Sequence, residues 1–437
     1  MFVFFHSYLC GCNTIECLDN MKRNAGNLKV QKDYCLFILF FYFFLFKAVF
    51  EQKVPILAYS DEAIAMMAIP IGLVHFCNNH GYIRMERYSI CVTLLVVLGL
   101  VSNLVYKYQP MVQAALPDLL LNLKFWFCIP VGAYAFRKFD IQRYSQGVFN
   151  HIRVMTVFYT LLIILDYIHP IFRSEIRYGM RSTQLFYNHP TVFAANCSFL
   201  LAILTMIHDN LSLKNRIAYE VWLSLLMCST LRSKMFGCVM LFWIIVYFVF
   251  LRKKRFQLRT LFLFVPLVAA IGWEQVEYYF FSSIQEDSAR FQLLAKSLMI
   301  ANDHFPLGSG FGTFASHYSS VEYSPLYEIY EIANISGLQK GNAAFVSDSY
   351  WPMVLAQFGW IGLIAMIAAL FFLFHSIQRI RNASVSGYAA ALFILMYLLI
   401  ESTSSSAFVH PLSMPLALLL GYLLQNFKDS TLKRYKE

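Results

Sequence analysis

Apolar stretches of about twenty residues recur along this chain, and a bilayer-spanning helix needs about that many. Backbone groups left unpaired in lipid are costly, so a spanning segment must be a helix or part of a closed barrel. The runs fall at 34–50, 62–78, 88–106, 117–136, 148–168, 191–208, 217–232, 235–251, 259–275, 350–374, 387–404 and 411–427. They predict an all-α, polytopic membrane protein with about twelve transmembrane helices. Composition points the same way. Only 14% of residues are charged and 59% are hydrophobic, whereas a soluble domain carries about 25% charged residues on its surface.

The formal charge of +10 would suggest a nucleic-acid partner in a soluble protein. Here the basic residues have another use, because Lys and Arg in short loops orient membrane helices. Lys22, Arg23, Lys29 and Lys32 precede the first run; Arg84 and Arg87 follow the second; Arg137, Lys138 and Arg143 follow the fourth. Lys214 and Arg216 follow the sixth, Arg252 to Arg255 the eighth, Arg379 and Arg381 the tenth, and Lys428 to Lys436 end the chain. With alternating helices all of these share one side, which predicts cytoplasmic termini and no nucleic-acid partner. The expected organisation is a tail at 1–33, helices one to nine within 34–275, an outward loop at 276–349, helices ten to twelve within 350–427, and a tail at 428–437.

The start lacks a charged n-region and a small-residue cleavage site, so the first helix is expected to serve as an uncleaved anchor. Met21-Lys22-Arg23 reads as an alternative start. Cysteines lie mostly in apolar runs, where they act as small hydrophobes. Cys10, Cys12 and Cys17 have no partner at zinc spacing, and neither metal nor cofactor is expected.

Loops as long as 276–349 are usually functional. Within it, Phe291, Leu294, Leu298 and Ala301 recur at helical spacing and predict an amphipathic helix on the membrane surface. Pro306, Gly308, Gly310 and Gly312 then predict tight turns. Several outward residues break the orientation rule. Arg173, Arg177 and Arg181 are spaced four apart and would share a helix face. Arg232 and Lys234 sit in the polar stretch Ser229–Lys234 between two apolar runs, and Arg290 and Lys296 lie in the large loop. Guanidinium groups suit phosphate because their planar fork donates paired, charge-assisted hydrogen bonds. The same arginines could instead contact phospholipid headgroups or pair with Glu175, Glu286 and Asp287. His189, His304, His317 and His410 also face outward, where a histidine is more often surface than catalytic. Lys124, inside the fourth run, is expected to face a cavity or snorkel.

Three stretches resemble the O-antigen polymerase and ligase superfamily of bacterial envelope glycan enzymes. Ser229-Thr230-Leu231-Arg232-Ser233-Lys234 is similar to its threonine/serine-arginine turn. Arg290 through Phe314, with Pro306-Leu307-Gly308-Ser309-Gly310, is similar to its proline-leucine-glycine-x-glycine stretch. Asp348-Ser349-Tyr350, with Gln357-Phe358-Gly359-Trp360-Ile361-Gly362, resembles the end of the outer loop and the following helix. In the ligases the last motif opens on His. Here that position holds Asp348, which favours polymerase.

The resemblance implies a metal-independent glycosyltransferase at the periplasmic face of the inner membrane. Its donor and acceptor would be polyprenyl-pyrophosphate-linked oligosaccharides, with the bilayer and a possible chain-length regulator as further partners. Arg232, Arg290, Arg181 and Lys234 would hold pyrophosphate, and Arg232 and Arg290 would stabilise the leaving charge. Asp348 would handle the acceptor proton or, alternatively, cap the next helix. Glu401 is a second candidate carboxylate. An O-antigen ligase and a lipid-linked oligosaccharide flippase remain alternatives.

Overall fold

The computed structural model describes residues 25–78, 86–257 and 288–434. The helices are α1 (Ala25–Lys53), α2 (Ser60–Met66), α3 (Ala68–Asn78), α4 (Arg87–Tyr106), α5 (Leu116–Ala135), α6 (Ser145–Ile168), α7 (Pro190–Met206), α8 (Leu213–Cys228) and α9 (Ser233–Val246). After the undescribed stretch come α10 (Ala289–Asp303), α11 (His317–Val321), α12 (Leu326–Ile329), α13 (Tyr350–Ile380), α14 (Val385–Glu401) and α15 (Met414–Arg434). Each predicted run inside the described residues coincides with helix; the run at 259–275 lies outside them. Among the described residues, seven helical stretches are long and apolar enough to cross a membrane, and Pro190–Met206, Val385–Glu401 and Pro411–Gln425 are apolar but shorter.

Burial sorts the helices into two kinds. The middle helices α7 and α14 are packed on nearly all sides, from Phe193 to Met206 and from Ser386 to Leu398. Their sequences are apolar all round, as a fully enclosed helix must be. Outer helices instead leave one apolar face open: Leu161 and Ile164 on α6, Leu104 on α4, and Ile364 and Phe371 on α13. In water those faces would be costly, and a lipid surround removes that cost. Where α5 meets α15 the backbones nearly touch, since a Cβ at Gly132 would stand 2.0 Å from the Leu418 carbonyl oxygen. Small residues permit such close helix contacts.

The glycine-rich segment after α10 threads into the bundle instead of lying on its surface. α13 is interrupted at Gly359, whose φ of 64° and ψ of −169° leave the helix. That break frees the carbonyls of Ala356 and Gln357, which accept the amides of Ser309 and Gly310, both at 2.9 Å. Asn103 closes the other side, accepting from the Phe311 amide at 2.8 Å and donating to the Phe311 carbonyl at 3.0 Å. Asp118 accepts from the Gly312 amide at 2.8 Å. Irregular backbone is tolerated at such depth only when its polar groups are paired inside the protein. Gly308 has φ of +82°, and a Cβ there would lie 2.3 Å from the Gly359 nitrogen.

One expectation about the outward loop needs correction. Arg173, Arg177 and Arg181 do not share a helix. Ile176–Arg177 pairs antiparallel with Met180–Arg181 in a hairpin, turned by Tyr178 and Gly179 at φ of 51° and 73°. Two consecutive positive φ angles are the hairpin-turn geometry that Gly favours. On α10, Leu293, Ser297, Ile300 and Ala301 are buried, while Leu294 and Leu298 of the expected stripe are exposed. The helix has apolar residues on two adjacent faces, and spacing alone does not say which one packs on the protein.

Candidate functional site

The turn between α8 and α9 is built by short-range hydrogen bonds. The Ser229 and Thr230 hydroxyls donate back to the carbonyls of Leu226 and Met227, at 2.8 and 2.7 Å. Leu231 then adopts φ of 51°, and the Ser182 hydroxyl ties the turn to the hairpin loop through the Thr230 carbonyl at 2.9 Å. This projects Arg232 into a cavity of about 710 Å³ lined also by Arg177, Lys234, Arg290, Asp348 and Glu401. Binding sites for small molecules commonly measure about 300–1,000 Å³.

Three cations of the cavity each meet a carboxylate from another part of the chain. Arg232 Nη2 lies 3.1 Å from Glu175 Oε2. Lys234, in the first turn of α9, reaches Glu401 Oε2 at the end of α14, at 2.6 Å. Arg290, in the first turn of α10, lies 3.3 Å from Asp348 Oδ2. The cap position of α13 belongs to Ser349 and carries no side-chain cap bond, so Asp348 is engaged with Arg290 instead of capping. Serines 404, 405 and 406 add a hydroxyl wall.

Burial pushes the Glu175 carboxyl up, but Arg232 and Arg177 outweigh it and hold the group below the usual carboxylate range. His189 is held below its ordinary value, first by burial and then by Arg232. His410 is depressed too, by its depth in the protein and then by Lys124 and Lys234. Its ring nonetheless has surface open to the cavity it lines. Water there weakens the burial penalty.

Of the residues singled out in the sequence, Arg232, Lys234, Arg290, Asp348 and Glu401 therefore meet in one place. Arg181 does not line the cavity. Its Nε donates to the Ser174 hydroxyl at 2.8 Å, its Nη1 to the Asp166 carbonyl at 3.1 Å and its Nη2 to the Phe172 carbonyl at 3.3 Å, with the Asp166 carboxylate at 3.4 Å. Those bonds occupy it in holding its own loop. Hairpin alternation explains why Arg177 lines the cavity in its stead. His304 is buried, bonded to the Ile300 carbonyl and to Tyr108 at 2.8 and 2.9 Å.

A second cavity of about 430 Å³ adjoins the first, sharing Val192, His410 and Leu412 with it. Lys47, Glu51, Gln52, Asn188 and Asn196 contribute to its lining. Behind it lies a network that sequence reading missed. Buried Asp61 takes Lys47 on Oδ1 at 3.1 Å and Lys124 on Oδ2, and Lys124 also reaches Glu62 at 2.7 Å. Lys124 is 1% exposed and lines neither cavity. The expectation that it snorkels or faces a cavity is corrected by these partners, since a buried ammonium must be paired. The signal was present in Asp61-Glu62 entering one apolar run while Lys47 and Lys124 interrupt two others.

Among the described residues, no three His, Cys, Asp or Glu side chains are grouped to hold a metal ion. No protein-family model matches the chain, and no curated protein matches it.

Proposed function

We propose that this chain is a membrane-embedded polysaccharide polymerase that joins polyprenyl-pyrophosphate-linked oligosaccharide repeat units at the periplasmic face of a bacterial inner membrane. The observation that carries the reading is the convergence of Arg232, Lys234, Arg290 and Asp348 on one cavity. They come from a helix-helix turn, a loop helix and a loop end far apart in sequence. Four lining cations, Arg177, Arg232, Lys234 and Arg290, stand against the lining carboxylates Asp348 and Glu401 and against Glu175, which pairs with Arg232 and Arg177. The net balance is positive, which suits an anionic ligand such as a diphosphate diester.

In this reading the guanidinium groups of Arg177, Arg232 and Arg290 donate to phosphate oxygens of the donor. An acceptor sugar hydroxyl attacks the donor's anomeric carbon, the bond from that carbon to the phosphate oxygen breaks, and polyprenyl pyrophosphate leaves with the electron pair. Fixed cations stabilise the charge that develops on it. The hydroxyl proton passes to a carboxylate. Asp348 is better placed for this than Glu401, because its side chain is 36% exposed against 6%. Without a metal, the cations carry the whole burden of neutralising the leaving group.

The test is elongation of a synthetic lipid-pyrophosphate repeat unit by the purified protein in EDTA. Lengthened glycan in wild type, with losses of about a hundredfold or more in Arg232→Gln and Asp348→Asn, is the expected result. No product from wild type, or full activity in both variants, overturns the assignment. Activity lost in chelator and restored by magnesium overturns its metal independence.

A further inference from the structure

Two loops far apart in sequence are braced together at one end of the bundle. The first, Arg252-Lys253-Lys254-Arg255-Phe256, follows the helical turn Tyr247–Leu251; the second begins with Arg381-Asn382 and joins α13 to α14. Each sends a guanidinium to the other. Arg255 Nη2 donates to Asn382 Oδ1 at 2.8 Å, and Arg381 Nη2 donates to the Lys253 carbonyl. Phe256, 1% exposed, is the anchor. Its amide donates to the Tyr388 hydroxyl at 3.1 Å, and its carbonyl accepts from Gln378 Nε2 at 2.9 Å. The same hydroxyl donates to Gln378 Oε1 at 3.1 Å, which closes the ring. Arg252, Lys253, Lys254 and Arg255 remain exposed.

These cations are treated differently from those of the cavity. There, Arg232, Lys234 and Arg290 each meet a carboxylate. Here both braces end on neutral oxygens, and neither 247–257 nor 376–388 contains Asp or Glu. Five cations are thus gathered with no counter-charge from either loop. A basic loop that only orients a helix has to lie on one side of the membrane. It does not have to be tied down, and gathering like charges costs self-repulsion. The C-terminal dipole of α13 offsets only about half a charge. The remainder suits an anion from outside the chain, and depth says which. α14 runs from this end to Glu401 in the large cavity, a rise of about 25 Å against a hydrocarbon core of about 30 Å. In a bilayer spanned by these helices, the cluster stands at headgroup level in the leaflet opposite the cavity.

We infer that the segment Arg252–Arg255, together with Arg381, is a docking site for the phosphate of an anionic phospholipid headgroup. The inference needs only a membrane-spanning bundle and is independent of what the cavity does. Arginine forks donate paired, charge-assisted hydrogen bonds to phosphate oxygens, and lysines add point charge. Basic clusters just beyond a spanning helix attract anionic lipid in this way. With no carboxylate in either loop to hold an ammonium, a zwitterionic headgroup gains less than an anionic one. Because both loops are braced to each other, a lipid bound there also fixes the end of α9 against the α13–α14 connection.

The test titrates the full chain, purified in dodecyl maltoside, with short-chain phosphatidylglycerol, phosphatidylcholine or inorganic phosphate, and reads binding by native mass spectrometry beside thermal unfolding. Lys253→Gln with Lys254→Gln removes two charges and leaves both braces, since Lys253 takes part only through its carbonyl. Arg137→Gln with Lys138→Gln removes two exposed cations elsewhere and serves as the control. A hydrogen bond to a charged group corresponds to roughly a tenfold change in affinity. Phosphatidylglycerol is expected to bind wild type at least about tenfold more tightly than phosphatidylcholine, and the lysine double variant at least about tenfold more weakly than wild type. The control variant should stay within about twofold, and Lys253→Arg with Lys254→Arg, which keeps the charge, should bind as wild type does and so separates lost charge from lost fold. Equal binding of the two lipids, or wild-type binding by the lysine-to-glutamine variant, overturns the inference. An equal loss in the control overturns it in favour of diffuse charge. Inorganic phosphate that binds as tightly as phosphatidylglycerol overturns the lipid as the source of the anion.

Discussion

Asp61→Asn is the sharpest perturbation of the buried charge network. The native carboxylate is fully buried and serves two ammonium groups, Lys47 at 3.1 Å and Lys124. At an effective dielectric near 20, the 3.1 Å pair alone attracts by about 5 kcal/mol. Much of that repays removing the charges from water, and breaking one partner of a buried pair costs about 3–5 kcal/mol. Each lysine retains a second acid, Lys47 its pair with Glu51 and Lys124 its pair with Glu62. That places the expected loss near the low end, about 3 kcal/mol. Equilibrium unfolding in mixed dodecyl maltoside and SDS micelles, followed by tryptophan fluorescence, measures it. A cycle with Lys124→Met should show coupling of at least about 1 kcal/mol, because the two side chains touch. An Asp61→Asn protein within about 0.5 kcal/mol of wild type, or strict additivity in the cycle, refutes the reasoning that these buried pairs stabilise the fold.

Gly308→Ala puts a Cβ 2.3 Å from the Gly359 nitrogen at a φ of +82°, so it should destabilise by about 2 kcal/mol or more in the same unfolding assay. Arg181→Gln should lower stability through its loop yet leave pyrophosphate affinity within about twofold, while Arg232→Gln should weaken binding at least about tenfold; calorimetry separates them. For pH, His410 is depressed below 6.5, by burial first, then Lys124 and Lys234, with Asp61 opposing and Lys47 adding. The unfolded chain then binds more protons just below 6.5, so stability rises as pH climbs toward 6.5. His410→Asn should flatten part of that rise in thermal unfolding at stepped pH.

The helical plan was legible because lipid makes a severe demand on sequence: a long apolar run has few fates other than a helix. The threaded loop was half legible. Pro306 and three alternating glycines announced turns, but its depth came from the break at Gly359, which exposes two carbonyls that the loop's amides and the Ser309 hydroxyl satisfy. Arg232 and Arg290 stood out because polar residues at helix ends violate the orientation rule. The choice between Arg177 and Arg181 was invisible, because it depends on a two-residue turn that replaces helical spacing with strand alternation. The charge network was hidden for another reason. Lys47, Asp61 and Lys124 come from three separate helices, and each looks like an isolated defect until packing brings them together.

Pairing, more than placement, gives the large cavity its chemical character. Arg232, Lys234 and Arg290 each hold a carboxylate from another segment, so an anion entering there must compete with Glu175, Glu401 and Asp348. The three contests are unequal. Glu401 is 6% exposed on its side chain and Lys234 18%, so that pair exchanges least readily with water and acts as a fixed wall. Glu175 is 52% exposed and Asp348 36%, and their carboxylates lose little by swinging into solvent. A diphosphate that takes Arg290 thereby releases Asp348 as a free carboxylate beside the bound donor. In the polymerase reading, the acceptor's base becomes available only when the donor is in place, which would keep donor and acceptor chemistry in step without any moving domain.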